Sequence, residues 1–194
     1  MTTLYETIGL YAVVLWLLFR LLRIGVSDIL ALCGAAIIVA VVSVVALDVP
    51  LMLMAMFAPF GAVLPALAIQ NFTTQFGGYR STDYHLAEVL GALAVYVLYL
   101  CAALGVFAFD PYRFGYQPVM GSVIILVLLA YSLWRGHVFL ALALIVGQAA
   151  WAFDIGSTNA FDHMTHVILV PVLCVVVLQK LFGLLRKSDV TQTR

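Results

Sequence analysis

The chain has 194 residues, of which 65% are hydrophobic and 9% are charged, and its mean hydropathy is +1.16. Soluble domains carry about 25% charged residues, so this composition excludes a water-soluble globular domain and predicts that the lipid bilayer surrounds the protein. Nine Lys and Arg residues balance nine Asp and Glu residues. Because there is no basic arm, we expect no binding to nucleic acid.

Apolar runs separated by short polar connections predict seven transmembrane helices, and hence an all-α, polytopic membrane helix bundle. Residues 1–187 are predicted to form this single domain, followed by a short cytoplasmic tail at residues 188–194. In chain order the predicted spans are Leu4–Leu22, Ile29–Leu47, Leu51–Ile69, Leu86–Phe109, Val119–Trp134, Val138–Phe153 and Phe161–Leu185.

The third predicted span contains two prolines, Pro59 and Pro65. Each proline lacks an amide hydrogen, and its ring crowds the preceding helical turn. We therefore predict that this span is kinked or broken. The backbone groups freed at a break need protein or water partners because lipid offers none, so the span is expected to lie inside the bundle.

The positive charges predict an outside N terminus and a cytoplasmic C terminus, since cytoplasmic connections are enriched in Lys and Arg. With seven spans, eight Lys and Arg residues fall on the cytoplasmic side and one falls on the outer side. The cytoplasmic side would carry Arg20, Arg23, Arg80, Arg135, Lys180, Arg186, Lys187 and Arg194, and the outer side Arg113.

Polar and ionisable residues occur at the span ends that this orientation places outside. Such groups are costly at membrane depth and usually face a bundle interior or a cavity. We therefore predict a polar pocket near the outer leaflet. The candidate pocket residues are Asp48, Asp110, Asp154, Asn159, Asp162, His163 and His166.

Three of these residues, Asp162, His163 and His166, are predicted to share the inward face of the last helix. Two imidazoles and a carboxylate could hold a divalent metal such as zinc, with an open position for an activated water. Alternatively, Asn159 caps the helix, Asp162 occupies its third position as a variant capping box, and both histidines form hydrogen bonds at the interface.

The longest polar connection, residues 70–88, precedes the fourth span. Ser81 or Asp83 is predicted to cap that span, and Arg80 could pair with Asp83 or Glu88. This segment is interpreted as a solvated helix cap, with a binding loop as the alternative.

Three cysteines, Cys33, Cys101 and Cys174, lie in apolar runs without CxxC spacing. They are predicted to be free, buried thiols.

Three short segments resemble a family of small, uncharacterised bacterial seven-helix membrane proteins. Asn-Ala-Phe-Asp-His-Met-Thr-His at 159–166 is similar to the family's Asn-Asp-Leu-Tyr-His-x-x-Gln element, which opens the last helix. Ser-Asp-Ile-Leu-Ala-Leu at 27–32 resembles its Thr-Asp-Leu-Leu-Leu-Ala stretch. Residues 61–72 are similar to its Gly-Ala…His-Gly-Phe segment, with Gln70 in place of the histidine. The resemblance implies a multi-pass protein of a bacterial inner (plasma) membrane.

A more distant resemblance is to alkaline ceramidases and adiponectin-receptor-like proteins, which are seven-helix, zinc-dependent amide hydrolases. Their Ser-x-x-x-His pattern corresponds to Ser43 and Leu47 here, so the histidine is missing, although Asp48 could substitute as an oxygen ligand. Their His-x-x-x-His pattern corresponds to His163 and His166, which are one residue closer together. This resemblance implies zinc as a possible cofactor.

The sequence thus favours an integral membrane protein with a polar pocket for a small molecule or lipid, in a binding, transport or structural role. The alternative is a metal-dependent membrane hydrolase that acts on a lipid amide or ester.

Overall fold

The computed structural model describes residues 4–46, 48–57, 60–78 and 82–192, with side chains described as far as residue 184. Within these ranges the chain forms eight α-helices, two short 3-10 helices and no β-strand, which confirms the all-α prediction. The α-helices are α1 (Leu4–Leu22), α2 (Asp28–Val45), α3 (Asp48–Phe57), α4 (Val63–Phe76), α5 (Leu86–Ala103), α6 (Pro118–Arg135), α7 (Val138–Ala152) and α8 (Leu169–Gln192). The 3-10 helices are Tyr112–Tyr116 and Ala160–His163.

Four helices, α1, α2, α5 and α6, are long and apolar enough to cross a membrane. Three further apolar helices are shorter: α3, α7 and the Leu169–Leu184 part of α8. Apolar side chains point outward along these helices; in α2 only Ala31 and Ala35 are buried. Exposed hydrophobic surface on this scale marks contact with lipid or protein rather than water. The prediction of a membrane protein is confirmed at this level.

Most of the predicted helix ends agree with the structure, but the C-terminal end of the fourth span differs. α5 ends at Ala103 rather than at Phe109. Gly105, with a φ of +80°, leaves the helix in the left-handed conformation that glycine adopts without strain. The amide of Val106 then bonds back to the carbonyl of Cys101. The glycine was the signal in the sequence that marked this end.

The N-terminus of α5 is capped by His85 rather than by Asp83, so that prediction was wrong; Ser81 and Arg80 lie outside the described residues. The Glu88 carboxylate accepts a hydrogen bond from the backbone N–H of His85, as the acid of a capping box does.

The cysteines are free, as predicted, but Cys33 and Cys174 are exposed and Cys101 is half-buried. They face outward because the helices that carry them bury few side chains.

The chain divides into two compact units. The first, Met1–Ser81 with Gly115–His166, contains α1 to α4, α6, α7 and the 3-10 helix at Ala160–His163. One part of its core joins α1 to α2, where Phe19 packs on the small residues Ala31 and Ala35. The other part is formed by side chains of α4, α6, α7 and the segment after α7, namely Ala62, Val63, Ile125, Ala143, Leu144, Ala160 and Met164.

Helices α1 and α4 of this unit lie side by side and run in the same direction. Gly9, near the start of α1, lies against Phe60, just before α4; a Cβ on Gly9 would be 3.0 Å from the Cβ of Phe60. Near the other end of both helices, the Phe19 ring is 5.2 Å from the ring of Phe72. Between these points the Trp16 indole donates a hydrogen bond to Asn71. The start of α1 is therefore held beside the segment that precedes α4.

The second unit, Thr82–Phe114 with Val167–Arg194, consists of α5 packed against α8 and the connection that follows α5. In that connection the Arg113 guanidinium lies 5.7 Å from the ring centre of Phe109 and 5.4 Å from that of Phe114. The Asp110 carboxylate accepts a hydrogen bond from the amide of Tyr112. An aromatic loop with one cation suits a membrane interface.

Candidate functional site

The third predicted span is broken, as expected from its prolines. α3 ends at Phe57 and α4 begins at Val63. Pro59 lies outside the described residues. Pro65 falls in the first turn of α4, where an amide hydrogen has no partner within the helix anyway. The break leaves free backbone groups at the end of one helix and the start of the next.

The segment after α7 differs from the prediction. The last helix begins at Leu169 rather than at Phe161, so Asp162, His163 and His166 do not share a helix face. Asp162 and His163 belong to the 3-10 helix, and His166 lies in an irregular stretch. The cause is tertiary: the His163 carbonyl accepts a hydrogen bond from the amide of Ala62 in place of a partner within a helix.

This segment supplies the partners that the broken span lacks. His166 Nε2 donates to the carbonyl oxygen of Phe57, the last residue of α3, at 2.9 Å. The backbone N–H of Ala62, the N-cap residue of α4, donates a hydrogen bond to the carbonyl oxygen of His163. The His166 ring also stacks on Phe60, with 4.6 Å between ring centres. The break and the irregular segment therefore satisfy each other's backbone groups, as an apolar environment requires.

Glycines make this close approach possible. A Cβ on Gly61 would lie 2.8 Å from the carbonyl carbon of His163, and one on Gly147 of α7 would lie 2.9 Å from its carbonyl oxygen. A Cβ on Gly115 would lie 1.8 Å from Oδ1 of the fully buried Asn159. The Asn159 side chain accepts a hydrogen bond from the amide of Phe161 at 2.9 Å and so caps the 3-10 helix.

His163 is the most deeply buried ionisable side chain of the predicted pocket set, with 1% of its surface exposed. Its Nε2 lies 2.8 Å from the carbonyl oxygen of Ser157. A carbonyl only accepts, so Nε2 carries a hydrogen; when the ring is neutral, Nδ1 therefore carries a lone pair. Among the described residues Nδ1 has no hydrogen-bond partner although it is buried. An unpartnered buried polar atom costs about 1–3 kcal/mol.

Tyr5 of α1 lies beside this imidazole, and Glu6 of α1 lies beside Gly156. The ring of Tyr5 is 6.1 Å from the ring of His163, and the Tyr5 hydroxyl is likewise buried with no partner among the described residues. His163 Cε1 lies 3.5 Å, and Glu6 Oε1 3.6 Å, from the position that a Cβ on Gly156 would occupy. Gly156 is exposed and has a φ of +94°. It therefore leaves an opening, without a side chain, between an imidazole and a carboxylate.

Sequence reasoning did not include Tyr5 and Glu6 in the site. The available signal was Glu6, the one acidic residue of α1, which lies in the first turn of an otherwise apolar span. An acid near a helix N-terminus usually serves the helix dipole, so the residue type alone did not distinguish this position from an ordinary helix start.

The carboxylate of Asp162 is used within its own turn. The Ser157 hydroxyl donates to Asp162 Oδ2 and accepts a hydrogen bond from the amide of Asn159. The Trp151 indole of α7 donates to the carbonyl of Thr158 at 2.9 Å. These bonds fix the turn that presents the Ser157 carbonyl to His163, so Asp162 has a positioning role in the structure.

The predicted metal ligands are not brought together in the part of the chain that the structure describes. Nε2 of His163 and Nε2 of His166 bind carbonyls of different segments, and Asp162 binds Ser157. In that part no group of three or more His, Cys, Asp or Glu side chains is arranged to hold a metal ion.

The other three predicted pocket residues are exposed. Asp48 is the exposed first residue of α3. Asp154 is exposed just after α7, with a φ of 54°. Asp110 is exposed in the second unit. Of the seven predicted residues, the structure thus places Asn159, Asp162, His163 and His166 in one segment.

A separate cavity of about 220 Å³ lies between α1, α2 and α3. Its lining is almost wholly apolar and includes Leu10, Val14, Val42 and Leu53. None of the seven predicted pocket residues lines it. It can hold hydrocarbon but provides little polar chemistry.

His166 predicts a pH dependence of stability. Burial lowers the pKa of His166 below its ordinary value of 6.5, and the hydrogen bond to Phe57 opposes this only partly. As the pH falls through 6.5, the unfolded chain takes up a proton that the folded chain does not bind, so folding stability decreases towards lower pH. Each unit of pKa difference corresponds to about 1.4 kcal/mol.

The measurement is the thermal midpoint in detergent from pH 8 to pH 5, in the wild type and in His166→Gln. Glutamine keeps an N–H donor for the Phe57 carbonyl but does not titrate. The wild type should lose more stability on acidification than the variant does. Equal pH dependence in the two proteins would show that His166 does not contribute.

Comparison with protein-family models, curated proteins and solved structures gives no match to the chain. The two resemblances noted from short segments therefore stay predictions. Of those segments, residues 159–166 precede α8 rather than open it.

Proposed function

We propose that the chain is a seven-span protein of a bacterial inner membrane, with its N-terminus outside and its C-terminus in the cytoplasm. The seven spans would be α1, α2, the broken pair α3 and α4, α5, α6, α7 and the apolar part of α8. The charge asymmetry supports this orientation. The parallel course of α1 and α4 supports it too, because the first and third spans of such a topology cross the membrane in the same direction.

The meeting of Glu6 with Gly156 gives independent support. In the proposed topology the start of the first span and the connection before the last span lie on the same, outer side. Glu6 belongs to the first turn of α1, Gly156 follows α7, and the two are close neighbours.

Fusion of reporters to Arg194 tests the topology. A reporter that is active only in the cytoplasm should be active at this position, because an odd number of spans separates it from the outside N-terminus. An inactive cytoplasmic reporter together with an active periplasmic one would contradict the seven-span arrangement.

We propose further that the protein binds a small polar molecule, or the polar end of a lipid, at His163. The observation that carries this proposal is the buried Nδ1 lone pair without a partner among the described residues. A bound hydrogen-bond donor would remove the cost of leaving it unsatisfied. Gly156, which is exposed and has no side chain, lies beside Cε1 of the same ring, so the molecule would approach the imidazole from the surface at this point. No arrangement of the described residues favours the metal-dependent hydrolase in the same way.

Filling the opening should prevent binding. We expect the wild-type protein, released gently from the membrane, to retain one bound molecule in native mass spectrometry. Gly156→Val should retain at least about tenfold less, a loss equivalent to about 1.4 kcal/mol, because its side chain would occupy the space between His163 and Glu6.

Gly105→Val is the matched control. Gly105 also has a positive φ, +80°, so the variant carries a similar backbone strain, but a Cβ there meets no atom within 4 Å. This control should retain the bound molecule. A wild type without any bound molecule, or a Gly156→Val that retains it fully, would contradict the proposed site.

A further inference from the structure

We infer that Arg113 binds the phosphodiester group of a membrane phospholipid, with its guanidinium held at the membrane surface by Phe109 and Phe114. This inference is independent of the binding proposed at His163 and requires only that α5 crosses the bilayer. The contact would fix the C-terminal end of α5 at the depth of the lipid headgroups.

The connection that follows α5 lies at the membrane surface. α5, Leu86–Ala103, has 18 residues, and at 1.5 Å per residue they cover about 27 Å, close to a hydrocarbon core of about 30 Å. Exposed apolar side chains grouped in this way mark contact with a membrane rather than with water, so this part of the chain lies at the boundary between acyl chains and headgroups. The exposed apolar residues just after the helix are Leu104, Val106, Phe107 and Phe109.

Aromatic rings join Arg113 to this apolar segment. Its guanidinium carbon is 5.7 Å from the ring centre of Phe109 and 5.4 Å from that of Phe114, and the two rings are 5.6 Å apart. Both distances fall within the range of about 6 Å in which a ring attracts a cation. The charge of the exposed Arg113 is therefore held close to Phe109, at the level where arginines reach the lipid headgroups.

The hydrogen-bond donors of this cation are available. A guanidinium has five N–H donors in one plane, and among the described residues none of those of Arg113 is given to an acceptor. Asp110, the nearest acid in the sequence, uses Oδ1 to accept a hydrogen bond from the amide of Tyr112. Arg113 thus offers both a positive charge and a set of N–H groups to a bound molecule.

A phosphodiester fits this cation in charge, in geometry and in place. Its two non-bridging oxygens share a negative charge and can accept two parallel N–H bonds, which is the bidentate pairing that arginine forms with phosphate. Water would satisfy the donors but not the charge. Phospholipids of both leaflets carry this group beside the hydrocarbon boundary, so the inference holds for either orientation of the protein.

Dipolar coupling between the Arg113 guanidinium and lipid phosphorus tests this inference. Full-length protein with ¹³C-labelled arginine is placed in phospholipid bilayers free of other phosphate, and solid-state NMR measures how much guanidinium signal is lost through coupling to ³¹P. The signal of Arg113 is the difference between the wild type and Arg113→Lys. It should show the loss expected for N⁺–H···O⁻ hydrogen bonds of about 2.7–2.9 Å. An Arg113 signal that phosphorus does not affect would overturn the inference.

Arg23 is the matched control. It also lies just beyond the end of an apolar helix, but its Nε is paired with Asp28 Oδ1 at 2.7 Å. Its signal, obtained with Arg23→Lys, should lose less intensity to phosphorus than the signal of Arg113 does. An equal or larger loss at Arg23 would show that unused N–H donors do not select the site, and would contradict the inference.

Two further samples test the role of the rings and the source of the phosphate. Phe109→Leu combined with Phe114→Leu keeps an apolar surface without rings, so the loss at Arg113 should decrease; an unchanged loss would reject the aromatic contribution. In bilayers of a phosphorus-free glycolipid with inorganic phosphate in the buffer, Arg113 should show no loss, because a free anion is not held at the depth of Phe109. A loss equal to that in phospholipid would assign the contact to any phosphate anion and overturn the lipid assignment.

Discussion

Replacing Gly115 by alanine should cause the largest loss of stability among single substitutions around the site. The new Cβ would lie 1.8 Å from Oδ1 and 2.6 Å from Cγ of Asn159, which is 0% exposed and cannot move into solvent. Displacing that side chain would break its bond to the Phe161 amide and leave buried polar atoms unpaired. Overpacking and lost hydrogen bonds together should cost about 3–5 kcal/mol.

The measurement is the free energy of unfolding in mixed micelles, with sodium dodecyl sulfate as the denaturant. Gly91→Ala is the control, since a Cβ at Gly91 meets no atom within 4 Å. A second control removes the obstacle: Gly115→Ala combined with Asn159→Ala should be about as stable as Asn159→Ala alone, because the clashing atoms are gone. A double variant whose loss of unfolding free energy equals the sum of the losses in the two single variants would contradict this explanation.

Replacing Gly61 by alanine should have the second largest effect. Its Cβ would lie 2.8 Å from the carbonyl carbon of His163 and 2.9 Å from the carbonyl oxygens of Asp162 and His163. These are backbone atoms, so no change of side-chain rotamer relieves the overlap. The segment would have to move away from α4 and lose the hydrogen bond from the Ala62 amide. We expect a loss of about 2–4 kcal/mol.

The same unfolding measurement checks this prediction, with Gly183→Ala as the control because that glycine has open space around it. The variant should also retain less of the molecule bound at His163, because the segment that carries the imidazole is displaced. A Gly61→Ala protein within about 0.5 kcal/mol of the wild type, the usual range for a neutral surface change, would show that Gly61 is not tightly packed against His163.

Local properties of the sequence predicted much of the helical structure. The first span, Leu4–Leu22, has the predicted bounds because its apolar run ends at two arginines, Arg20 and Arg23, and at Gly25. The break before α4 followed from proline chemistry, which depends on residue type alone. The backbone groups freed at this break were expected to find hydrogen-bond partners within the protein, because lipid offers none.

The form of the segment after α7 could not be predicted in the same way. Residues 161–166 have a helical spacing of polar groups, yet they form a 3-10 turn and an irregular stretch because Ala62 and Phe57, about a hundred positions earlier, take up their hydrogen bonds. Glycine at 61 and 147 permits that contact. Such long-range pairs leave no periodic signal, which is also why Tyr5 and Glu6 were missed.

The state of His163 Nδ1 tests the central proposal most directly. The chain has four histidines, and ¹⁵N-labelled histidine rings can be assigned by comparing the wild type with His163→Gln. The experiment compares the wild type with Gly156→Val, each in membranes of the cells that produced it.

We predict that Nε2 of His163 is protonated in both proteins, because it donates to the Ser157 carbonyl. In the neutral ring, Nδ1 should show the chemical shift of a nitrogen that accepts a hydrogen bond in the wild type, and the shift of a free lone pair in Gly156→Val. A protonated Nδ1 in neutral wild-type rings, or the same Nδ1 shift in the two proteins, would contradict a binding site at His163 that is reached past Gly156.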